Sequence, residues 1–235
     1  MITQLVTAQD LDSDQLQLAG DVHRHLIRAR RLSAGDAVRF VDGQGRARHG
    51  ILESFDRKQA LFVLGEKAAL FDPSLELELW VASLRRERAA WMVEKATELG
   101  VRGIHFLHTR RAPRSFGTAQ LERFRRVAVA ALEQSHGAFL PRIEGVHSWE
   151  ALREILGSTT HRFALLPGAD APLQAATMTA GERIALLIGP EGGLAEDELE
   201  QLRDMDFRLY HLGQKILRIE TAAVLGAGIL LTRDP

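Results

Sequence analysis

The stretch Leu187-Ile188-Gly189-Pro190-Glu191-Gly192-Gly193 decides the fold of most of the chain. It connects an apolar strand, predicted over 184–188, to a helix predicted over 194–205. A strand that is apolar at every position is typical of a sheet covered on both faces. Three glycines at its end leave the backbone open to a ligand or supply positive φ. We therefore predict an α/β sheet with a binding loop at this strand end.

The same alternation of strand and helix begins at residue 75. Apolar patterns predict strands at 75–84, 101–107, 162–166, 184–188 and 208–212, and helices at 86–99, 119–135, 149–156, 194–205 and 221–231. Such alternation indicates an α/β fold with a mostly parallel sheet. Because parallel strands end at a common edge, we expect the loops 165–168, 187–193 and 212–221 to form one pocket there.

The first 70 residues have a different pattern. Short strands are predicted at 37–41, 49–52 and 60–64, with a short helix at 21–31. Such a segment is typical of a small β-barrel. Phe71-Asp72-Pro73-Ser74 has the composition of a linker. We predict two domains, a β-barrel over 1–70 and an α/β domain over 75–235.

Composition excludes several classes of protein. The chain has 235 residues, no cysteine and a formal net charge of -1. Disulfides, thiolate metal sites and cysteine nucleophiles are therefore excluded. No apolar run is long enough for a membrane span, and the N-terminus is unlike a signal peptide, so a cytoplasmic protein is expected. His105 and His108 alternate on one predicted strand, but no acidic or third histidine partner is expected near them, so no metal site is predicted.

Charge is distributed unevenly along the chain. Arginine dominates the segments 22–49 and 85–126, whereas 181–207 is rich in acids. Clustered arginines indicate a surface for nucleic acid, because the guanidinium fork binds two phosphate oxygens at once. The 187–193 loop is not a phosphate loop, since its glutamate would repel a phosphate. Adenosine carrying a cation suits that loop better than a dinucleotide does.

These motifs resemble those of a known family. Ile188-Gly189-Pro190-Glu191-Gly192-Gly193, then Leu212-Gly213 and 216–222, resemble the paired C-terminal motifs of the knotted SPOUT methyltransferases, and within them those of the RsmE family. Weaker matches, Lys95 to Val101 and Glu133-Gln134-Ser135, follow the expected order. The resemblance implies a PUA-like β-barrel before a trefoil-knotted α/β domain, working as a homodimer. It also implies methylation of N3 of a specific uridine in 16S ribosomal RNA, with S-adenosyl-L-methionine as methyl donor and the free RNA or the small ribosomal subunit as substrate.

The resemblance assigns candidate site residues. Those for the cofactor are Leu166, Pro167, Ile188, Gly189, Pro190, Glu191, Gly192, Gly193, Leu212, Gly213, Ile216 and Leu217. Arg218 is the candidate cation that stabilises charge shifting onto O2 and O4 as uridine N3 loses its proton. Glu220 is the candidate base, or a structural partner that fixes Arg218. Those for RNA are Arg28, Arg31, Arg110, Arg111 and Arg114.

Two alternatives stay open from the sequence. One is a knotted methyltransferase acting on another RNA position, such as a ribose 2′-hydroxyl. The other is an RNA-binding module without catalysis. The chain also departs from the family pattern where His136-Gly137 replaces Gly-Arg, where Lys215 replaces a common arginine, and at an N-terminus without an Arg/Phe-rich segment. These departures concern contacts with RNA more than the cofactor site.

Overall fold

A computed structural model describes residues 1–112, 116–157, 159–174 and 178–232. Of the predicted site residues, only Arg114 lies outside these ranges. The chain forms two compact units. The first comprises Met1–Asp72 and Leu132–Leu140, and the second Pro73–Ala131 and Pro141–Pro235.

The first unit is built on a five-stranded sheet. Its strands are β1 (Ile2–Leu5), β2 (Gln15–Ala19), β3 (Ala37–Val41), β4 (Ala47–Phe55) and β5 (Gln59–Lys67), in the order β1-β3-β4-β5-β2. Only β1 and β3 pair in parallel. The predicted helix at 21–31 is a short α1 (Gly20–His23) followed by a π-helical segment, Arg24–Ala29.

Alternating side chains of these strands form the core of the first unit. Phe40 and Phe62 are fully buried and meet edge to face, with ring centroids 5.0 Å apart. Such aromatic pairs stabilise beyond the area they bury. Leu26 of the π-helical segment is fully buried in the same cluster, so this segment covers one end of the sheet's apolar face.

Residues 132–140 belong to the first unit because backbone and side chains hold them there. The buried Arg39 donates from Nη1 to the carbonyl of His136, 2.8 Å away. Burial lowers the pKa of Arg39, and the charge of Asp72 opposes that shift. Glu133 accepts hydrogen bonds from the Gln4 amide and the Leu5 N–H at 2.7 and 3.0 Å. The Glu133-Gln134-Ser135 motif is therefore structural in part.

The second unit contains a seven-stranded sheet. Its strands are β6 (Glu76–Ala82), β7 (Gly103–Leu107), β8 (Arg142–His147), β9 (His161–Leu165), β10 (Ala171–Pro172), β11 (Arg183–Ile188) and β12 (Arg208–His211). The order is β10-β12-β9-β11-β6-β7-β8, and every pairing is parallel. The predicted strands are confirmed, while β8 and β10 were not predicted.

Five helices accompany this sheet in the described residues. They are α2 (Arg86–Glu98), α3 (Thr118–Ser135), α4 (Trp149–Leu156), α5 (Glu196–Asp204) and α6 (Ile219–Leu231). Helix α6 packs on β6, β11 and α2. The close approach requires Gly226, because a Cβ there would lie 2.8 Å from Leu186 Cδ2. Within the described ranges, no helix has the length and apolarity needed to cross a bilayer.

Candidate cofactor and active site

The candidate site lies where β12, β9 and β11 end. Leu165, the last residue of β9, pairs with Ile188 on one side and with Tyr210 on the other. Because these neighbouring strands are parallel, the loops that follow them begin at one edge of the sheet. The three loops singled out in the sequence therefore lie side by side.

These loops surround a cleft of about 620 Å³, including the open solvent at its mouth. All the predicted cofactor residues except Gly192 line it. Leu165, Lys215, Ile219 and Ala222 complete the lining. Gly192 faces the side chain of Arg111 instead, with 3.3 Å between the site of a Cβ and Arg111 Cδ.

Two glycines keep the cleft open. Gly213 has φ +102°, and a Cβ built there would meet no atom within 4 Å. Gly193 has φ +74°. Positive φ is costly for any residue with a side chain, and at Gly213 a side chain would also project into free space beside the cleft. Both glycines therefore leave backbone where a ligand can approach.

The rim of the cleft is apolar. Ile216 is 77% exposed although it is a large aliphatic residue, whereas Ile219 below it is buried. An exposed isoleucine beside an open cleft gains stability when a flat apolar group covers it. This combination of apolar rim and bare backbone is typical of a site for a small molecule.

Arg88 connects two acidic residues of the site. Its Nη1 lies 3.4 Å from Glu191 Oε1, and its Nε lies 3.5 Å from Glu220 Oε1. Glu220 is only 6% exposed and lies in the first turn of α6, where the helix dipole favours an acid. Sequence reasoning missed Arg88, because the only signal was its place in the first turn of a predicted helix.

Arg218 occupies the N-cap position of α6, with φ −67° and ψ 153°. Its side chain is exposed and forms no ion pair with the described residues. The predicted structural pairing of Glu220 with Arg218 is wrong, since Glu220 pairs with Arg88. The guanidinium of Arg218 is thus available to a ligand at the cleft.

The arginines predicted to bind RNA fall into two groups. Arg28 and Arg31 are exposed and form no ion pair within the described ranges. Arg110 instead pairs with Asp197 at 2.7 Å, while its N–H donates to Glu198 Oε1 at 2.8 Å. Arg111 donates to the carbonyl of Gly192. Arg110 and Arg111 therefore fasten the segment that follows β11, which the sequence did not indicate.

The prediction that His105 has no acidic or further histidine partner nearby is wrong. The structure places Glu78, Glu144 and His147 beside His105. His108 is not part of this group, and its N–H donates to the carbonyl of His147. The sequence missed the cluster because β8, which carries two of its members, was not predicted.

The chain thus combines a cleft at the edge of a parallel sheet with a second, small β-rich unit. The chain matches the family model described as RNA methyltransferase domain over residues 72–231, and the model described as RNA methyltransferase PUA domain over residues 18–65. The chain belongs to this RNA methyltransferase family.

Individual relatives agree with this assignment. Ribosomal RNA small subunit methyltransferase E of Bacillus subtilis (strain 168) is 24% identical over 93% of this chain and 90% of that protein. The protein of the same name from Mycobacterium tuberculosis (strain CDC 1551 / Oshkosh) is 28% identical, with coverage of 91% and 86%. The predicted RsmE resemblance is confirmed.

Solved structures agree as well. The Ribosomal RNA small subunit methyltransferase E from Neisseria gonorrhoeae, bound to S-adenosyl methionine, matches with a TM-score of 0.83 and 21% identity over 97% of this chain and 95% of that one. A probable rRNA-methyltransferase from Porphyromonas gingivalis matches with a TM-score of 0.79 and 25% identity, at the same coverage. The predicted fold class, a PUA-like barrel followed by a SPOUT α/β domain, is confirmed.

Proposed function

We propose that this protein transfers a methyl group from S-adenosyl-L-methionine to N3 of a uridine in 16S ribosomal RNA, as free RNA or in the small subunit, in the cytoplasm. The observation that carries the proposal is the bare-backbone cleft formed by the loops after β9, β11 and β12. The names of the near full-length relatives support the RNA substrate, and the bound ligand of the Neisseria gonorrhoeae protein supports the cofactor.

The residues of the cleft fit this cofactor. Leu166, Ile216 and Leu217 offer apolar surface to an adenine, and Gly189 and Gly213 leave backbone groups accessible. Glu191, half-exposed at the cleft, supplies negative charge for a cationic ligand. Bound there, S-adenosylmethionine supplies an electrophilic methyl group on a sulfonium.

Arg218 is our candidate for activating the uridine. Uridine N3 carries a proton, so the ring must become anionic before N3 attacks, and the charge moves onto O2 and O4. Arg218 is the residue after Leu217, which lines the cleft. Its unpaired guanidinium can therefore donate a hydrogen bond to one of these oxygens. Glu220 stays the candidate base, but its burial and its pairing with Arg88 better support a role in positioning, in which case water accepts the proton from N3.

We propose that residues 1–70 bind RNA and that residues 75–235 transfer the methyl group and add further contacts with RNA. Arg28 and Arg31 are the candidate phosphate contacts of the first segment, because their side chains are exposed. In the second, Arg110, Arg111 and Arg114 are the candidates. The solvent-exposed guanidinium of Arg110 can exchange Asp197 for a phosphate at little cost.

We further propose a homodimer. Helices α2 and α6 pack side by side, and each exposes a large apolar side chain, Trp91 and Leu225. A second copy would cover both residues, as is common in isologous dimers. Light scattering should give twice the chain mass, and Trp91→Glu should give monomers.

The test is a methylation assay on unmodified small subunits, followed by mass spectrometry of the nucleosides. We expect 3-methyluridine from the wild type. Arg218→Ala should lower the rate about 100- to 1000-fold, the usual effect of losing one donor to a developing charge, while cofactor binding persists. The control is Arg208→Ala, because this exposed arginine begins β12, at the strand end away from the cleft.

Other products decide against the proposal. A ribose-methylated nucleoside would replace the uridine-N3 reading with the 2′-hydroxyl alternative. Absence of any product, together with no cofactor binding at millimolar concentration, would favour an RNA-binding module without catalysis.

A further inference from the structure

A cluster of histidines and carboxylates lies on strands β6, β7 and β8, towards the other edge of the sheet from the cleft loops. His105 belongs to β7, Glu144 and His147 to the edge strand β8, and Glu78 to β6. None of these residues lines the cleft. The cluster is therefore independent of the proposed methyl transfer.

A bulge in β8 creates the cluster. His105 pairs with Glu144, but the next residue, Phe106, pairs with Val146, so Gly145 is left over. Side chains alternate along a strand, and residues three apart would normally point to opposite faces. The extra residue turns His147 to the face that carries His105 and Glu144.

The ligand atoms of these residues lie at coordination spacing. Glu144 Oε2 is 3.3 Å from His105 Nδ1 and 3.2 Å from His147 Nε2. One donor atom from each of the three residues lies within 4.8 Å of the others. Ligands about 2.1 Å from a tetrahedral zinc ion are roughly 3.4 Å apart. The observed spacing thus suits a single ion between them.

The ring nitrogens of the cluster face carboxylates but form no well-aligned hydrogen bond with any described residue. His105 is 1% exposed, and its Nε2 and Nδ1 lie 3.2 and 3.3 Å from carboxylate oxygens of Glu78 and Glu144. His147 Nε2 is likewise buried without an aligned hydrogen bond. Buried polar atoms of this kind are rare in folded proteins and often mark an ion or a water. A neutral imidazole has one N–H, so its other nitrogen is able to bind a cation.

Glu78 and Trp80 fix the His105 ring. Glu78 Oε2 lies 3.2 Å from Nε2, which leaves Nδ1 as the nitrogen facing Glu144. A carboxylate behind a histidine is the usual outer support of a metal ligand. Trp80 stacks on the ring with centroids 4.1 Å apart.

His147 is largely out of solvent, with its side chain 17% exposed. Glu144 is 40% exposed, which gives an ion a path from solvent.

We propose that His105, Glu144 and His147 bind one divalent transition-metal ion of the Zn²⁺ type, which fastens the edge strand β8 to β7. Two imidazoles and one carboxylate are a ligand set that such ions prefer over Mg²⁺ or Ca²⁺. The remaining coordination position would be taken by water.

The test measures Zn²⁺ binding by calorimetry on the full chain without a histidine tag, in the absence of RNA and cofactor, and Co²⁺ binding by visible absorption. The wild type should bind one Zn²⁺ per chain and give Co²⁺ bands of low-symmetry coordination. Glu78→Gln should weaken binding about 10- to 100-fold, and His147→Ala or Glu144→Gln at least as much. His161→Ala is the matched control, because among the described residues His161 faces a single carboxylate, Glu182, at 3.1 Å.

The outcomes separate the proposal from a plain ion-pair cluster. Absence of Zn²⁺ binding by the wild type overturns it, as does binding that Glu144→Gln and His147→Ala leave unchanged. If His147→Ala does not fold, Glu144→Gln gives the same test, since its side chain is partly in solvent. Zn²⁺ should also raise the melting temperature of the wild type more than that of Glu144→Gln at the same Zn²⁺ concentration.

Discussion

Replacing Arg88 by alanine tests whether this residue holds the two acidic side chains of the candidate site. In the wild type, the guanidinium lies between Glu191 and the buried Glu220. In the variant, water can solvate the half-exposed Glu191, whereas the buried carboxylate of Glu220 loses the cation that it pairs with. We expect lower stability and weaker cofactor binding, because the first turn of α6 and the loop after β11 lose their common partner.

The size of the effect follows from burial. The pair with the half-exposed Glu191 is worth about 0.2–1 kcal/mol. Removing the partner of the buried Glu220 carboxylate costs about 1–3 kcal/mol. The pair is not fully enclosed, since Arg88 is partly exposed, so the 3–5 kcal/mol typical of fully buried pairs is too large. We expect a loss of about 2–3 kcal/mol, or a melting temperature lower by about 5–10 °C.

Thermal unfolding and calorimetry with S-adenosylmethionine measure both effects. The double variant Arg88→Ala/Glu220→Gln should regain most of the lost stability, because a buried amide needs no cation. The affinity for the cofactor should not recover, since Glu191 still lacks its ion pair with Arg88. If the double variant is as unstable as Arg88→Ala alone, the unpaired Glu220 carboxylate is not the source of the loss.

Two further changes test the packing of each unit. Burial alone would raise the pKa of Asp42, but hydrogen bonds from the Arg46 side chain and from the backbone N–H groups of Gln44 and Arg46 lower it overall. The contribution of Asp42 to stability is therefore present above the unfolded pKa of about 4 and disappears as pH falls through the lower folded pKa. Asp42→Asn should therefore cost about 1–3 kcal/mol in urea unfolding at neutral pH and progressively less in acid, and a loss independent of pH would contradict this assignment. Gly226→Ala should destabilise by about 1 kcal/mol, because crowding against Leu186 exceeds the gain in helix propensity. Gly228→Ala, on the same helix with no atom near its Cβ site, should stabilise by a similar amount; equal effects would refute the close approach of α6.

The sequence predicts the α/β sheet well because its strands are long and apolar. The 184–188 run needs no tertiary context to be read as a buried strand. Strand β8 was missed, since Arg142, Glu144 and Gly145 interrupt its apolar pattern. That omission hid the bulge that brings His147 to His105, so a metal was excluded on a wrong ground.

The candidate site was predicted in its backbone but not in its side-chain partners. Glycines at three strand ends predict where a cleft opens, because their positions follow from the parallel sheet. Ion pairs such as Arg88 with Glu220 join residues far apart in sequence, and no local pattern encodes them. The predicted knot likewise rests on the family resemblance alone, since periodicity carries no information about how a chain is threaded.

Titration of the protein with S-adenosylmethionine tests the cleft assignment most directly when the wild type is compared with Gly213→Val and Gly168→Val. Both glycines have positive φ and open space around the Cβ site, but only Gly213 lines the cleft. We predict one bound molecule per wild-type chain, binding weaker by at least about tenfold, or 1.4 kcal/mol, in Gly213→Val, and little change in Gly168→Val. Equal affinity of the wild type and Gly213→Val, or no binding by the wild type, would contradict the account.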